Sequence, residues 1–203
     1  MGSTNEYRVD SEGPEIRAWQ IQKHWNDNDK FGAKNVRIVP QKEERGEEII
    51  EFDLVFAEGK SIKANLSIKP RDPKPDGTGA GKNLVYSADF SGLSPSEKIA
   101  ANKKFCQLII EDQLRFWPAG KSLRIISYGD NRIEAAKVME EQMLLPDNVR
   151  RFREKGISVF INYDDKPIIP KQNEITPEEP DQQPKPKPKA WDVPKSLKPR
   201  KPW

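Results

Sequence analysis

The chain has 203 residues and a formal net charge of +3, and apolar and charged residues make up 34% and 33% of it. A typical globular chain is roughly 45–50% apolar, with glycine counted as apolar, and roughly 25% charged. This chain is less apolar and more charged than that, even when its glycines are counted. We therefore expect that part of the chain does not fold alone. One cysteine, Cys106, and one histidine, His24, exclude an internal disulfide, a thiolate zinc cage and a His-rich metal site.

The sequence shows neither a membrane span nor a targeting segment. No uninterrupted apolar run exceeds four residues, and residues 1–13 lack the apolar stretch of a signal peptide. We expect a soluble, cytoplasmic protein without a membrane partner. The length allows one domain and a tail, and the distribution of proline and charge places the boundaries. We predict a flexible N terminus at 1–13, a single α+β domain at 14–165, and a proline-rich linker with a basic tail at 166–203.

The first half of the predicted domain combines one helix with an antiparallel meander. Alternating apolar residues predict strands at 35–39, 47–56, 61–69 and 83–90. Glu58-Gly59-Lys60 has the composition of a tight hairpin connection between two of them. Residues 15–26 precede these strands and are predicted to be helical, because their apolar residues lie at helical spacing: Ile16, Trp19, Ile21 and Trp25.

The second half begins with a strong helix signal. Ser94 and Glu97 form a capping box, with Pro95 at the first helical position. The residues expected to form the buried stripe of this helix are Ile99, Cys106, Ile109, Ile110, Leu114 and Trp117. The elements predicted after it are a strand at 123–126, a helix from Asp130 to about Leu144, a shorter helix from Pro146 to Gly156, and a strand at 157–161.

A strand, a helical crossover and a strand with this spacing form a right-handed parallel unit. The predicted fold class is therefore α+β, with a mixed-sheet α/β arrangement as the alternative. It consists of an antiparallel β-meander and a β-α-β unit packed with helices, followed by an extended Pro/Lys-rich C-terminal tail.

The glycine-rich segment 76–83 resembles a phosphate-binding loop only superficially. Asp76 stands where the first glycine of that motif is required, and Asn83 stands where Ser or Thr should follow the lysine. A strand, not a helix, is predicted to leave the segment. We therefore interpret it as a connection between strands.

The order helix, three strands, helix, strand also occurs in the restriction-endonuclease-like fold. In that fold an Asp on one strand and an acidic-x-Lys motif on the next hold a metal ion against a phosphodiester. Asp53 and either Lys63 or Lys69 match the Asp and the Lys, but the residue two before each lysine is a serine, Ser61 or Ser67. Serine cannot supply the second carboxylate that a divalent ion needs.

Glu51 lies on the same strand face as Asp53 and could supply a carboxylate only if the site had moved. The competing interpretation is that these residues form the solvated face of a half-exposed sheet: Glu51, Asp53, Lys63, Ser67 and Lys69. We assign no catalytic residue, no metal ligand and no cofactor. We interpret His24 as a solvated or capping histidine near a helix C-terminus, and Cys106 as a small buried thiol.

The tail carries the most particular signal. Residues 182–203 have a local charge of +6, so residues 1–181 carry −3, and ten of the 18 prolines follow Tyr163. This composition cannot bury enough apolar area to form a core and favours an extended polyproline II conformation. Lysine and arginine are interleaved there with tryptophan, and the predicted partner-binding residues are Lys185, Lys187, Lys189, Trp191, Lys195, Lys198, Arg200, Lys201 and Trp203.

Basic residues hold polyanions, and tryptophan stacks on bases or fills a protein pocket. The leading hypothesis is a non-enzymatic interaction or assembly subunit whose tail docks on a larger partner, either a protein assembly or a nucleic acid. The alternative is a metal-dependent nuclease-like enzyme of the restriction-endonuclease-like fold with an atypical or degraded site. A merely solubilising tail is a third interpretation.

Overall fold

A computed structural model of the protein describes residues 4–10, 16–39, 46–71, 81–129 and 131–171. Seven strands form a single sheet: β1 (Thr4–Asp10), β2 (Ala33–Val39), β3 (Glu48–Ala57), β4 (Lys60–Arg71), β5 (Gly81–Asp89), β6 (Ser122–Tyr128) and β7 (Ser158–Ile161). Their order across the sheet is β2-β3-β4-β5-β1-β6-β7. The helices described are α1 (Ala18–Asn26), α2 (Pro95–Phe116), α3 (Arg132–Met143) and α4 (Pro146–Glu154), with a 3₁₀ turn at Asp29–Phe31.

The predicted fold class is confirmed. Strands β2 to β5 pair antiparallel in succession, with the tight turn between β3 and β4 at Glu58 and Gly59, where Gly59 has a φ of +65°. Strands β6 and β7 pair in parallel, and α3 and α4 form the crossover between them. The structure therefore contains both the meander and the β-α-β unit.

The expectation that residues 1–13 form a flexible terminus is wrong for residues 4–10. Strand β1 lies between β5 and β6 and is antiparallel to both, with Tyr7 opposite Tyr86 and Arg8 opposite Ile126. The side chains of Tyr7 and Val9 are buried in the core. A strand of seven residues gives little local signal, and both of its partners are distant in sequence, so only the assembled sheet reveals it.

The packed region also continues beyond the predicted boundary at residue 165. The amide of Val159 donates to the carbonyl of Ile169 at 2.9 Å, and the amide of Ile168 donates to the carbonyl of Val159 at 2.8 Å. Ile169 is fully buried. Residues 166–171 therefore belong to the folded unit, where they cover the outer edge of β7, and residues 172–203 lie outside the described residues.

Helix α2 begins as predicted. The Glu97 amide donates to Ser94 Oγ, and the Ser94 amide donates to Glu97 Oε2, which together form the capping box. The predicted buried stripe is correct except for Ile99, which is 54% exposed. In α1 the predicted apolar face is likewise correct except for Trp19, which is 59% exposed. The predicted cap at Asp130 lies outside the described residues.

The helices cover one face of the sheet. The side chains of Ile50, Phe52 and Leu54 alternate inward along β3 and are buried. Tyr7 Oη on the same face of the sheet lies 2.8 Å from Asn102 Oδ1 of α2 and 3.0 Å from the Ala135 carbonyl oxygen of α3, two acceptors for its single hydroxyl hydrogen. The opposite face carries no helix within the described part of the chain, so we name it the open face. None of the described helices has the length and apolar character needed to cross a bilayer.

A buried carboxyl group connects α1, α2 and β5. Asp112 of α2 is 1% exposed. Trp25 Nε1 of α1 donates to its Oδ1 at 2.8 Å, and Tyr86 Oη of β5 donates to its Oδ2 at 3.0 Å. Gln113 Nε2 donates in turn to Tyr86 Oη at 3.2 Å. Both carboxyl oxygens of Asp112 thus accept a hydrogen bond, as is usual for buried polar groups. We name these four residues the Asp112 cluster.

Replacement of Ile110 by alanine should lower the free energy of unfolding by about 2–5 kcal/mol, because it leaves a cavity beneath α2 where the wild-type side chain is 1% exposed. The control is Ile99→Ala on the same helix, which should change this free energy by no more than about 0.5 kcal/mol. Denaturant titration of both variants measures the difference. Equal effects of the two substitutions would show that α2 is packed differently.

The Asp112 cluster should make stability depend on pH. Burial raises the pKa of Asp112 to about 7, while the hydrogen bonds from Trp25 and Tyr86 act in the opposite direction. An unfolded aspartate titrates at about 3.9. Because the unfolded chain releases this proton first, Asp112 contributes a loss of stability as the pH rises from about 4 to about 7.

The test is the Asp112→Asn variant, measured by denaturant titration at several pH values between 4 and 8. Between pH 4 and pH 7 the free energy of unfolding of the variant should rise relative to that of the wild type. The total rise should be roughly 4 kcal/mol, because the pKa of Asp112 differs by about three units between the folded and unfolded states and each unit corresponds to about 1.36 kcal/mol. Other groups titrate in both proteins and cancel in the difference. Parallel pH profiles would show that Asp112 does not titrate in this window.

Candidate functional site

The open face of the sheet carries the residues that the sequence singled out as nuclease candidates. Asp53 of β3 and Lys63 of β4 lie directly opposite each other in the strand register. Lys63 Nζ is 2.5 Å from Asp53 Oδ1, and Asn35 Nδ2 donates to Asp53 Oδ2 at 2.7 Å. Asn35 reaches this position from a β-bulge in β2, where its φ is +52°. Both oxygens of Asp53 are therefore occupied by partners from the chain itself.

Glu51 is also neutralised. Arg37 Nη2 and Nε donate to Glu51 Oε2 at 2.5 and 2.9 Å. Hydrogen bonds from Asn35 and Lys63 lower the pKa of Asp53, so that its carboxylate stays ionised and paired at neutral pH. The two carboxylates thus act in ion pairs across neighbouring strands, the arrangement that stabilises a solvated sheet face.

The other nuclease candidates are not brought to the same place. Lys69 lies six residues along β4 from Lys63, roughly 20 Å away at the rise of an extended strand, and pairs with Glu47 at 3.5 Å. Ser67 stands between Ile49 and Val85 in the register. Within the described residues no three His, Cys, Asp or Glu side chains lie together as a metal site would require. The candidates that lie together are therefore Asp53, Lys63 and Glu51, with Asp53 and Glu51 held in ion pairs.

A trough of about 610 Å³ crosses this part of the open face. Its walls carry the Asp53–Lys63 pair together with the hydrogen-bonding side chains of Thr4, Asn65, Ser87 and Asp89. The Ser91 amide donates to Asp89 and lowers the pKa of its carboxyl group. The trough therefore offers paired charges and hydrogen-bonding groups of both kinds, which suit recognition of a polar surface.

His24 lies in the last turn of α1, as the interpretation of a solvated or capping histidine places it, but it is only half-exposed. Its ring packs against Phe31 with 4.9 Å between ring centroids and against Phe116 with 5.3 Å. Burial, and then the positive charge of Arg115, lowers the pKa of His24, so that the ring is neutral at pH 7. Among the described residues that line its groove there is no serine or cysteine, the side chains that a histidine base commonly activates as nucleophiles.

The interpretation of Cys106 as a small buried thiol is confirmed. Its side chain is fully buried and donates to Tyr7 Oη at 3.4 Å. Burial raises the pKa of the thiol to about 12, so almost no reactive thiolate forms at neutral pH. Cys106 serves the core and has no place in a thiol-based active site.

The tail residues predicted to bind a partner lie outside the described residues and stay a prediction: Lys185, Lys187, Lys189, Trp191, Lys195, Lys198, Arg200, Lys201 and Trp203. The same holds for most of the glycine-rich segment, because residues 72–80 are also outside the described part.

The sequence did not reveal the Asp112 cluster or the exposure of Trp19. No local pattern marks either feature, because both depend on how α1 is rotated relative to α2.

Comparison with known proteins does not assign this chain to a family. No family model matches it, and no curated protein does. Among solved structures it is similar to the toxic C-terminal tip of CdiA from Pseudomonas aeruginosa in complex with immune protein, at 6% sequence identity and a TM-score of 0.35. The likeness covers 66% of this chain and 90% of that chain. A TM-score of this size supports no conclusion about the fold or function of this protein.

Proposed function

We propose that the protein is a non-enzymatic interaction subunit that docks on a larger partner through its basic C-terminal tail. The observation that carries the first half of this proposal is the pairing on the open face. Asp53 is held by Lys63 and Asn35, and Glu51 by Arg37. A metal-dependent hydrolase needs carboxylates with free oxygens directed at one point. Here both oxygens of Asp53 and one oxygen of Glu51 are bound by side chains of neighbouring strands.

The tail supports the second half of the proposal. Residues 182–203 carry a charge of +6 and two tryptophans, whereas the rest of the chain carries −3. The last described residues run along the edge of β7, where Val159 and Ile169 exchange backbone hydrogen bonds. A proline-rich segment loses little conformational entropy when it docks, and its tryptophans can anchor it.

The rival nuclease function is tested by incubation of the full-length protein with plasmid DNA and with RNA in the presence of Mg²⁺ or Mn²⁺. We expect no cleavage under either condition. The matched variants are Asp53→Ala and Asp89→Ala, two carboxylates of the same trough. Metal-dependent cleavage that disappears in Asp53→Ala and persists in Asp89→Ala would establish the enzyme and overturn the proposal.

Truncation after Gln183 should leave the free energy of unfolding within about 0.5 kcal/mol of the full-length value, as for surface changes generally. Binding of the partner should fall at the same time. Denaturant titration measures the first effect, and a quantitative pull-down with both forms of the protein measures the second. If every association survives the truncation, the tail is a solubilising segment and the proposal is wrong.

The nature of the partner follows from two further measurements on the same material. For a nucleic acid, log affinity should fall steeply with log salt, by at most roughly 0.9 per duplex phosphate neutralised or 0.7 on single strands. For a protein, the slope should be shallow, and Trp191→Ala or Trp203→Ala should abolish binding.

A further inference from the structure

The groove between α1 and the C-terminal end of α2 has a shape and composition that packing alone does not require. It encloses about 480 Å³ and is lined by Trp19, Lys23 and His24 from one side and by Arg115 and Phe116 from the other. Trp19 is 59% exposed, although Ala18, Ile21 and Trp25 of the same helix are buried. The indole of Trp19 therefore lies on a second face of α1, directed away from the core.

The walls of the groove are held in place before any ligand binds. Trp25 Nε1 donates to Asp112 Oδ1 at 2.8 Å, which connects α1 to α2 beneath the groove. The ring of His24 contacts that of Phe31 at a tilt and that of Phe116 edge-on, with centroids 4.9 and 5.3 Å apart, and these contacts hold His24 and Phe116 at the groove. A partner that enters this groove orders little of the protein, and less binding free energy is lost to reorganisation.

The groove carries one positive charge without a partner. Lys23 Nζ pairs with Asp27 at 2.8 Å and is thereby neutralised. Arg115 makes no hydrogen bond or ion pair within the described residues, and its side chain is exposed. Lys155 adds positive potential nearby, with its Nζ bound to the Leu114 carbonyl at 2.5 Å. A free guanidinium favours a carboxylate or a phosphate, which it can hold through two parallel hydrogen bonds.

A protein partner fits these features better than a nucleic acid. Binding to a nucleic acid backbone requires several cations in a row, whereas this groove offers one free guanidinium and also contains the carboxylate of Asp27. An open groove beside an exposed tryptophan can receive the central anchor of a protein interface, where tryptophan and arginine are enriched.

From this geometry we infer that the groove between α1 and α2 is a docking site for an extended or helical segment of a protein partner that carries a carboxylate beside a large apolar side chain. The apolar side chain packs on Trp19 and Phe116, and the carboxylate pairs with Arg115. The residues that form this site all precede the C-terminal tail in the sequence, and we expect binding at the groove not to require the tail.

The experiment uses a display library of random 12-residue peptides, selected on the full-length protein and counter-selected on the full-length Trp19→Ala variant. The enriched peptides should share an Asp or Glu within one helical turn of a large apolar residue. A synthetic, fluorescently labelled copy should bind the wild-type protein and lose about tenfold or more in affinity to both Trp19→Ala and Arg115→Glu, as for central anchor residues.

Two controls separate binding from folding. Ile99→Ala removes an apolar side chain that is about as exposed as Trp19. Ile99 lies at the other end of α2, about 24 Å from Arg115 at the rise of an α-helix, so this substitution should leave the peptide affinity unchanged. A peptide whose carboxylate is replaced by lysine should bind Arg115→Glu better than it binds the wild type, which a misfolded variant could not show. The melting temperature of each variant should match that of the wild type.

The inference is overturned if no peptide requires Trp19, if the selected peptides lack a carboxylate, or if charge reversal gives no rescue. It is also overturned if a labelled 20-nucleotide single strand binds and loses affinity in both Trp19→Ala and Arg115→Glu, since the groove would then bind a polyanion. Peptide binding should persist in the protein that ends at Gln183. If the truncated protein no longer binds the peptide, the groove does not act independently of the tail. The role of the tail itself is tested separately, by the pull-down that compares the full-length and truncated proteins.

Discussion

The Asp112 cluster holds the helical layer in its position on the sheet. The carboxyl group of Asp112 accepts one hydrogen bond from Trp25 of α1 and another from Tyr86 of β5, so a single side chain of α2 connects three elements. A buried carboxyl group without these donors would cost several kilocalories per mole, and this cost selects the rotation of α1 in which the indole of Trp25 faces inward. The same rotation turns Trp19 outward, into the groove between α1 and α2.

A second constraint is that the helices cover only one face of the sheet. A β-strand directs alternate side chains to opposite faces, so the strands of the meander bury one set of residues beneath α1 and α2 and leave the other set to solvent. On the open face the outward charges pair across neighbouring strands, as Asp53 does with Lys63 and Glu51 with Arg37. This pairing explains why an Asp and a Lys at the spacing of a nuclease site lie together without forming one.

The molecule thus separates its surfaces by chemistry. The open face presents paired charges and hydrogen-bonding groups, and the α1–α2 groove presents an exposed indole beside a guanidinium that has no partner among the described residues. The sequence of the tail concentrates positive charge, +6 over residues 182–203. Cys106 is a buried thiol, and the ring of His24 packs against Phe31 and Phe116. The two proposed binding sites, the tail and the groove, would therefore act through different chemistry.

Local chemistry in the sequence determined much of the fold. The capping box at Ser94, the hairpin turn at Gly59, the alternation along β3 and β4 and the proline that starts α4 are all decided within a few residues, because caps, turns and strand alternation depend on near neighbours. For the same reason the helical crossover and the parallel pairing of β6 with β7 followed from spacing alone.

Only the tertiary structure decided the features that depend on distant partners. Strand β1 lies inside the sheet because it forms hydrogen bonds with β5 on one side and β6 on the other. Ile169 is a core residue because its backbone forms hydrogen bonds with Val159 of β7. Trp19 and Ile99 follow helical periodicity yet are exposed, because periodicity assigns residues to faces without stating how wide the covered face is. Asp112 reads in the sequence as an ordinary charged position on a helix. Its role arises from Trp25 and Tyr86, which lie 87 and 26 residues away along the chain and meet it only in the folded protein.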